Sequence, residues 1–199
     1  MHKPAVTQVP INETIANRWS GRAYADNQQV SHEQIIALLE AARWAPSCYG
    51  DQPWRFIVMN QNTHPQYWQQ ALDCLSPSNQ TWAKDAPVLF LVCADTLFKH
   101  NQQMNRWAQY DTGAAVENLC LQATSMGLMA HQMGGFNTDM ARAGFNVPEQ
   151  YTLMAMISVG YPAALEGLEG EILARETAAR VRRPLNELFF ADSWGQPIS

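Results

Sequence analysis

Apolar positions recur along this chain with two different periods, and the changes of period mark out its elements. Ile35, Leu38, Leu39 and Ala42 fall three and four apart behind Ser31 and Gln34, a capping-box pair, which predicts a helix ending near Trp44. Asn12 can cap a shorter helix reaching about Arg18. Pro46 disfavours helical geometry at Ala45, so residues 45–53, with Gly50 and Pro53, read as a structured loop. A strand follows over 55–59. Thr63 and Pro65 then open a helix carried by Tyr67, Trp68, Ala71, Leu72 and Leu75 to the break at Ser76 and Pro77. Residues 87–94 are apolar throughout, which predicts a central strand buried on both faces. The longest helical pattern runs from about Asn105 to Met126, with Ala114, Ala115, Leu119, Cys120 and Ala123 as a small-residue stripe and Gly127 at its C-terminal end. A short strand at 128–132, a turn at Gly134 and Gly135, a helix capped by Asn137 and ending at Gly144, and a strand over 152–159 complete the pattern.

The order of these elements shows no β-α-β repetition, which points to an α+β fold. At 199 residues the chain fits one domain, 1–199, with its core at about 12–162. After Pro162 the pattern fades: residues 163–183 hold few large apolar groups and many charges, and Leu188, Phe189 and Phe190 form a late anchor. Residues 163–199 therefore read as an extension crossing a surface, with a partner chain as one candidate for that surface.

Composition adds constraints. Thirteen basic against eighteen acidic side chains leave a net charge of -5, which opposes nucleic-acid binding. No apolar run is long enough for a membrane span, and Met1 to Pro10 lack the apolar core of a signal peptide, so a cytoplasmic protein is expected. Cys48, Cys74, Cys93 and Cys120 stand far apart, and His2, His32, His64, His100 and His131 form no ligand pair, so no metal site is expected. The G-x-S-x-G elbow, the H-E-x-x-H zinc motif, the P-loop and the G-x-G-x-x-G dinucleotide motif are absent, leaving no side chain as an evident nucleophile or base. A bound cofactor would supply the missing chemistry. The arginines suggest where one would sit. There are ten of them against three lysines, and Arg18, Ser20 and Arg22 alternate, as do Arg180 and Arg182. Alternate side chains of an extended stretch share a face, so each set could converge on a phosphate; ordinary surface salt bridges are the other reading.

Taken in order, Arg18-x-Ser20-x-Arg22, Ala45-Pro46-Ser47 with Gln52-Pro53-Trp54-Arg55-Phe56, Met133-Gly134-Gly135-Phe136, Val159-Gly160-Tyr161-Pro162 and Arg180-x-Arg182-Arg183-Pro184-Leu185 resemble the FMN-dependent nitroreductase family over about residues 12–195. The resemblance implies a central, mostly antiparallel sheet flanked by helices, and a homodimer whose C-terminal extensions embrace the partner and whose two FMN sites lie at the subunit interface. It implies that Arg18, Trp19, Ser20 and Arg22 contact the phosphate, ribityl chain and ring, and that Arg180 and Arg182 clamp the phosphate. Pro46, Ser47 and Cys48 match the loop laid on the partner's flavin. Asn79 matches a ligand of the pyrimidine edge, and Gln132, Met133, Gly134 and Gly135 match the segment beside flavin N5. Tyr49 and Trp107 are candidates for the acceptor pocket.

The chain departs from the family at two of these positions. Gly50 stands where Asn is common, and Trp82 stands where some members carry Lys near the flavin N1–O2 edge. Arg22 is the candidate to supply that missing charge. The implied activity is hydride transfer from NAD(P)H through flavin N5 to a nitroaromatic, quinone or similar small-molecule acceptor by a ping-pong sequence, with no catalytic side chain. An enone, aldehyde or halogenated-aromatic acceptor, or a flavin-binding module with negligible turnover, remains open.

Overall fold

The computed structural model describes residues 3–198; His2 and the two ends of the expected 1–199 unit lie outside the described residues. Four antiparallel strands form one sheet in the order β1-β2-β4-β3, with β1 at Trp54–Asn60, β2 at Val88–Asp95, β3 at Met129–Met133 and β4 at Tyr151–Gly160. Every residue of β2 is buried, as its uninterrupted apolar run predicts. Its alternate side chains feed two separate cores. Leu89, Leu91 and Cys93 join one cluster, and Val88, Phe90 and Val92 join the other. A bulge shifts the β2–β4 register at Val92 and Cys93, which reverses the facing of β4: Met156 and Leu153 reach the same cluster although they are three residues apart.

Helices cover both faces. On one side α2 (His32–Arg43) packs on α5 (Ala108–Ser125), burying Leu38 and Ala42 against Ala115, Leu119 and Ala123. The small-residue stripe of α5 lets the helix lie close to the sheet. On the other side stand α3 (Pro65–Cys74), α4 (Pro77–Ala83) and α6 (Thr138–Gly144), contributing Trp68, Leu72, Trp82 and Ala141. Several boundaries follow from local chemistry. Asn12 accepts the Thr14 N–H to start α1 (Glu13–Asn17), Ser31 and Gln34 form a full capping box, and Asn137 accepts the Met140 N–H. Gly127, at φ +72°, closes α5 in a conformation that side chains with a Cβ resist.

Three expectations need correction. The break at Ser76 and Pro77 is present, since α3 ends at Cys74, but the pattern missed that Pro77 also opens α4, where its missing N–H has no helical partner to lose. The stretch read as extended at 163–183 contains α7, Gly170–Thr177, and a further short helix, α8, spans Leu185–Leu188. The long helix begins at Ala108, because Asn105 turns its side chain onto the Trp107 N–H, an arrangement that competes with helix. No helix among the described residues is long and apolar enough to cross a membrane.

Candidate functional site

The segment from Arg18 to Arg22 crosses the molecule between the α5 side and the C-terminal residues, and it organises the site. Arg18 donates to Ser20 Oγ at 3.1 Å and pairs with Glu117 of α5 at 3.4 Å. Across a groove of about 800 Å³, Arg180 and Arg182 face them. Arg180 is half-buried and donates through Nη1 to the carbonyls of Lys3 and Ala16, both at 2.7 Å. Burial, then the charges of Arg18 and Arg182, lower the Arg180 pKa from its usual range. With Arg183, four arginines thus line one groove that contains a single carboxylate, an excess of positive charge that suits a dianion.

Arg22 departs from the expected common face: it opens onto a second groove, of about 510 Å³, which it lines with Ser78, Asn79 and Trp82. Its guanidinium lies over the Trp82 ring, 5.8 Å from the centroid. Trp82 itself is buried and tilted against His131 at 4.5 Å, so this position is part of the core. Asn79 sits in α4 and donates to the Gly135 carbonyl at 3.1 Å, and the Ser76 N–H bonds the same carbonyl at 2.9 Å. These contacts hold the exposed Gly134–Gly135 backbone beside Arg22's groove. A Cβ at Gly135 would come 2.9 Å from Ser76 Oγ and 3.0 Å from Asn79 Nδ2, so a side chain here would displace the groups that hold this backbone. Of the preceding residues, Gln132 is exposed and bonds Cys120 Sγ at 3.5 Å, while the Met133 side chain is core and leaves only backbone for a ligand.

His131 is held between the Gly21 backbone and the Trp82 ring. Its Nδ1 lies 2.9 Å from the Gly21 carbonyl and so carries the proton. Burial, assisted by Arg22, holds its pKa below the ordinary histidine value. No single-residue signal marked His131 in the sequence; only its adjacency to Gln132 hinted at the site.

The remaining candidates form a third group. The Cys48 N–H donates to Asp111 Oδ2 at 2.9 Å, and the Ser47 hydroxyl accepts the Gln52 N–H at 3.0 Å. Pro46 is exposed. Asp111, in the first turn of α5, is a buried anchor for this loop. Tyr49 is held at φ +55°, a strained value for a residue with a Cβ, and its ring is 83% exposed, edge-on to His100 and Phe98. Trp107, one turn before Asp111, is 39% exposed and carries Arg106 4.3 Å above its ring. Among the described residues no group of His, Cys, Asp and Glu could hold a metal ion.

The Nitroreductase family pattern matches residues 15–161. A protein of Methanothermobacter thermautotrophicus, provisionally named an NADH dehydrogenase/NAD(P)H nitroreductase, is 32% identical over 168 residues, which cover 81% of this chain and 82% of that protein. A crystal structure described as an oxidoreductase containing FMN aligns with a TM-score of 0.86 at 29% identity, covering 96% of each chain. A provisionally named nitroreductase of Desulfovibrio desulfuricans, solved in complex with FMN, aligns with a TM-score of 0.72 at 26% identity, covering 94% of this chain and 99% of that one.

Proposed function

This chain belongs to the nitroreductase family and is an FMN-dependent NAD(P)H oxidoreductase; we propose that it reduces nitroaromatics, quinones or similar electron-poor acceptors by a ping-pong sequence. The observation that carries the reading is the pairing of two grooves along one segment. Arg18, Arg180 and Arg182 offer an end of net positive charge, and Arg22, Asn79 and the Gly134–Gly135 backbone offer a polar edge suited to a planar ring. One elongated ligand with a phosphate at one end and a heteroaromatic ring at the other satisfies both, and FMN fits.

Arg18, Arg180 and Arg182 would hold the phosphate; Trp19 and Ser20 would flank the ribityl chain. Arg22, Asn79 and the backbone of Gln132, Met133, Gly134 and Gly135 would border the ring. A bound FMN would supply hydride chemistry between NAD(P)H and the acceptor. The chain's own contribution is orientation and charge placement. Pro46, Ser47 and Cys48, anchored on Asp111, would reach the flavin of a partner in a homodimer, with residues 163–199 embracing that partner. The exposed apolar side chains of Val6, Val9, Val181 and Leu185 supply surface for such contact. Tyr49 and Trp107 would border the acceptor. The four free cysteines suit a reducing cytoplasm.

Anaerobic addition of NADPH or NADH to the yellow protein is expected to bleach it, and a subsequent acceptor to restore the colour. A flavin that stays oxidised with both nicotinamides would support a binding module without turnover. Arg22, over Trp82, would supply a cation that stabilises the reduced ring. Replacing it in Arg22→Ala is expected to lower the two-electron midpoint potential by about 30 mV, the equivalent of about 1.4 kcal/mol. Spectroelectrochemical titration measures this, and an unchanged potential removes Arg22 from the role.

A further inference from the structure

Glu176 lies in α7, within the charged segment, yet it is only 2% exposed. A carboxylate so deeply buried requires partners, and its partners are all on the arginine-bearing segment. One oxygen accepts the Arg22 N–H at 2.6 Å, and the other accepts the Trp19 indole N–H at 3.2 Å. Between them, Gly21 presents no Cβ; one placed there would come 2.9 Å from the same carboxylate.

The Trp19 ring, held in this way, is a platform for two cations. Lys3 Nζ lies 3.9 Å from its centroid, and the Arg180 guanidinium lies 5.9 Å from it. Lys3 in turn donates to the Glu176 carbonyl at 2.7 Å, satisfying a C-terminal carbonyl of α7. Arg180 follows α7 by three residues. The N-terminal segment, residues 18–22 and the start of the C-terminal arm therefore meet at this one side chain.

We propose that Glu176 is a positioning residue: it locks the Arg18–Arg22 segment against the C-terminal arm and so sets the spacing of Arg18 and Arg180 that recognises the phosphomonoester of the ligand. This rests on the reading that the chain binds FMN. Glu176 touches neither groove's ligand directly. It acts through Trp19 and the Arg22 backbone, and its effect falls on recognition of phosphate rather than of the ring.

Flavin-stripped full-length protein is titrated with FMN and with riboflavin, which differ only in the phosphate, for wild type, Glu176→Gln and Glu176→Ala. The Ala variant is expected to lose about tenfold or more of the FMN-over-riboflavin preference, since two charge-assisted bonds are removed, while riboflavin affinity changes by less than about threefold. Gln keeps an acceptor for the Arg22 N–H and should retain most of the preference. A merely stabilising side chain would leave the ratio at its wild-type value in every folded variant, and that result overturns the proposal. If the Ala variant does not fold, Trp19→Phe, which keeps a ring and deletes the donor, must lower the ratio; an unchanged ratio overturns the proposal equally. A wild-type chain that binds neither flavin overturns the FMN reading itself, and this inference with it.

Discussion

Arg18→Ala combined with Arg180→Ala is expected to yield a protein that purifies nearly colourless and binds FMN about a hundred- to ten-thousand-fold more weakly than wild type. The magnitude follows from two lost charge-assisted contacts to a phosphate dianion, each worth about 1.5–3 kcal/mol. Arg182 remains on the groove and would retain part of the attraction, but it is exposed and its Nη1 is directed to the Val181 carbonyl. Riboflavin affinity should change far less. Arg180 also ties down the carbonyls of Lys3 and Ala16, so some stability is lost as well. Titration calorimetry on folded protein separates the effects, because the loss specific to FMN is the contribution of the phosphate. Equal FMN affinity in the double variant and wild type would reduce both arginines to ties for the N-terminal segment.

Gly21→Ala is expected to destabilise the protein by about 2–3 kcal/mol and to reduce its flavin content. The added methyl would collide with Met129 Sδ and come 2.8 Å from Trp19 Nε1 and 2.9 Å from the Glu176 carboxylate. Met129 is the first residue of β3 and its side chain is buried in the core, so it has little room to withdraw. The remaining relief is to push Trp19 away from Glu176, which breaks the bond joining the two arginine-bearing segments. A fall in melting temperature of about 4–12 °C is the expected thermal signature. A double variant with Met129→Ala should lose less than the sum of the two single changes, because the truncation removes the principal clash. A melting temperature equal to wild type would mean that the segment can shift without cost.

Residues that act locally were legible in the chain. The caps at Asn12, Ser31 and Asn137, the turn at Gly127 and the apolar run of β2 are decided by bonds to neighbours a few positions away or by burial on both faces, and the pattern states them directly. The motif resemblance also named the arginines, Asn79 and the glycine segment. Spacing alone put Arg18 and Arg22 on one face, and only the departure at Trp82 singled Arg22 out; the neighbours of each lie across the molecule, Trp82 and Asn79 for Arg22, Ser20 and Glu117 for Arg18.

Asp111 and Glu176 were the least legible. In sequence Glu176 resembles Glu166, Glu169 and Glu171, which are all exposed, and Asp111 resembles any polar residue in the first turn of a helix. By itself the sequence determined the order of the four strands and the main helices, the two-faced central strand and the concentration of arginines in two short segments. Only the tertiary structure decided that one carboxylate is buried at the junction of three segments and another beneath the Tyr49 loop. A buried charge is defined by its distant partners, here 154 and 157 residues away for Glu176, and no local pattern encodes those.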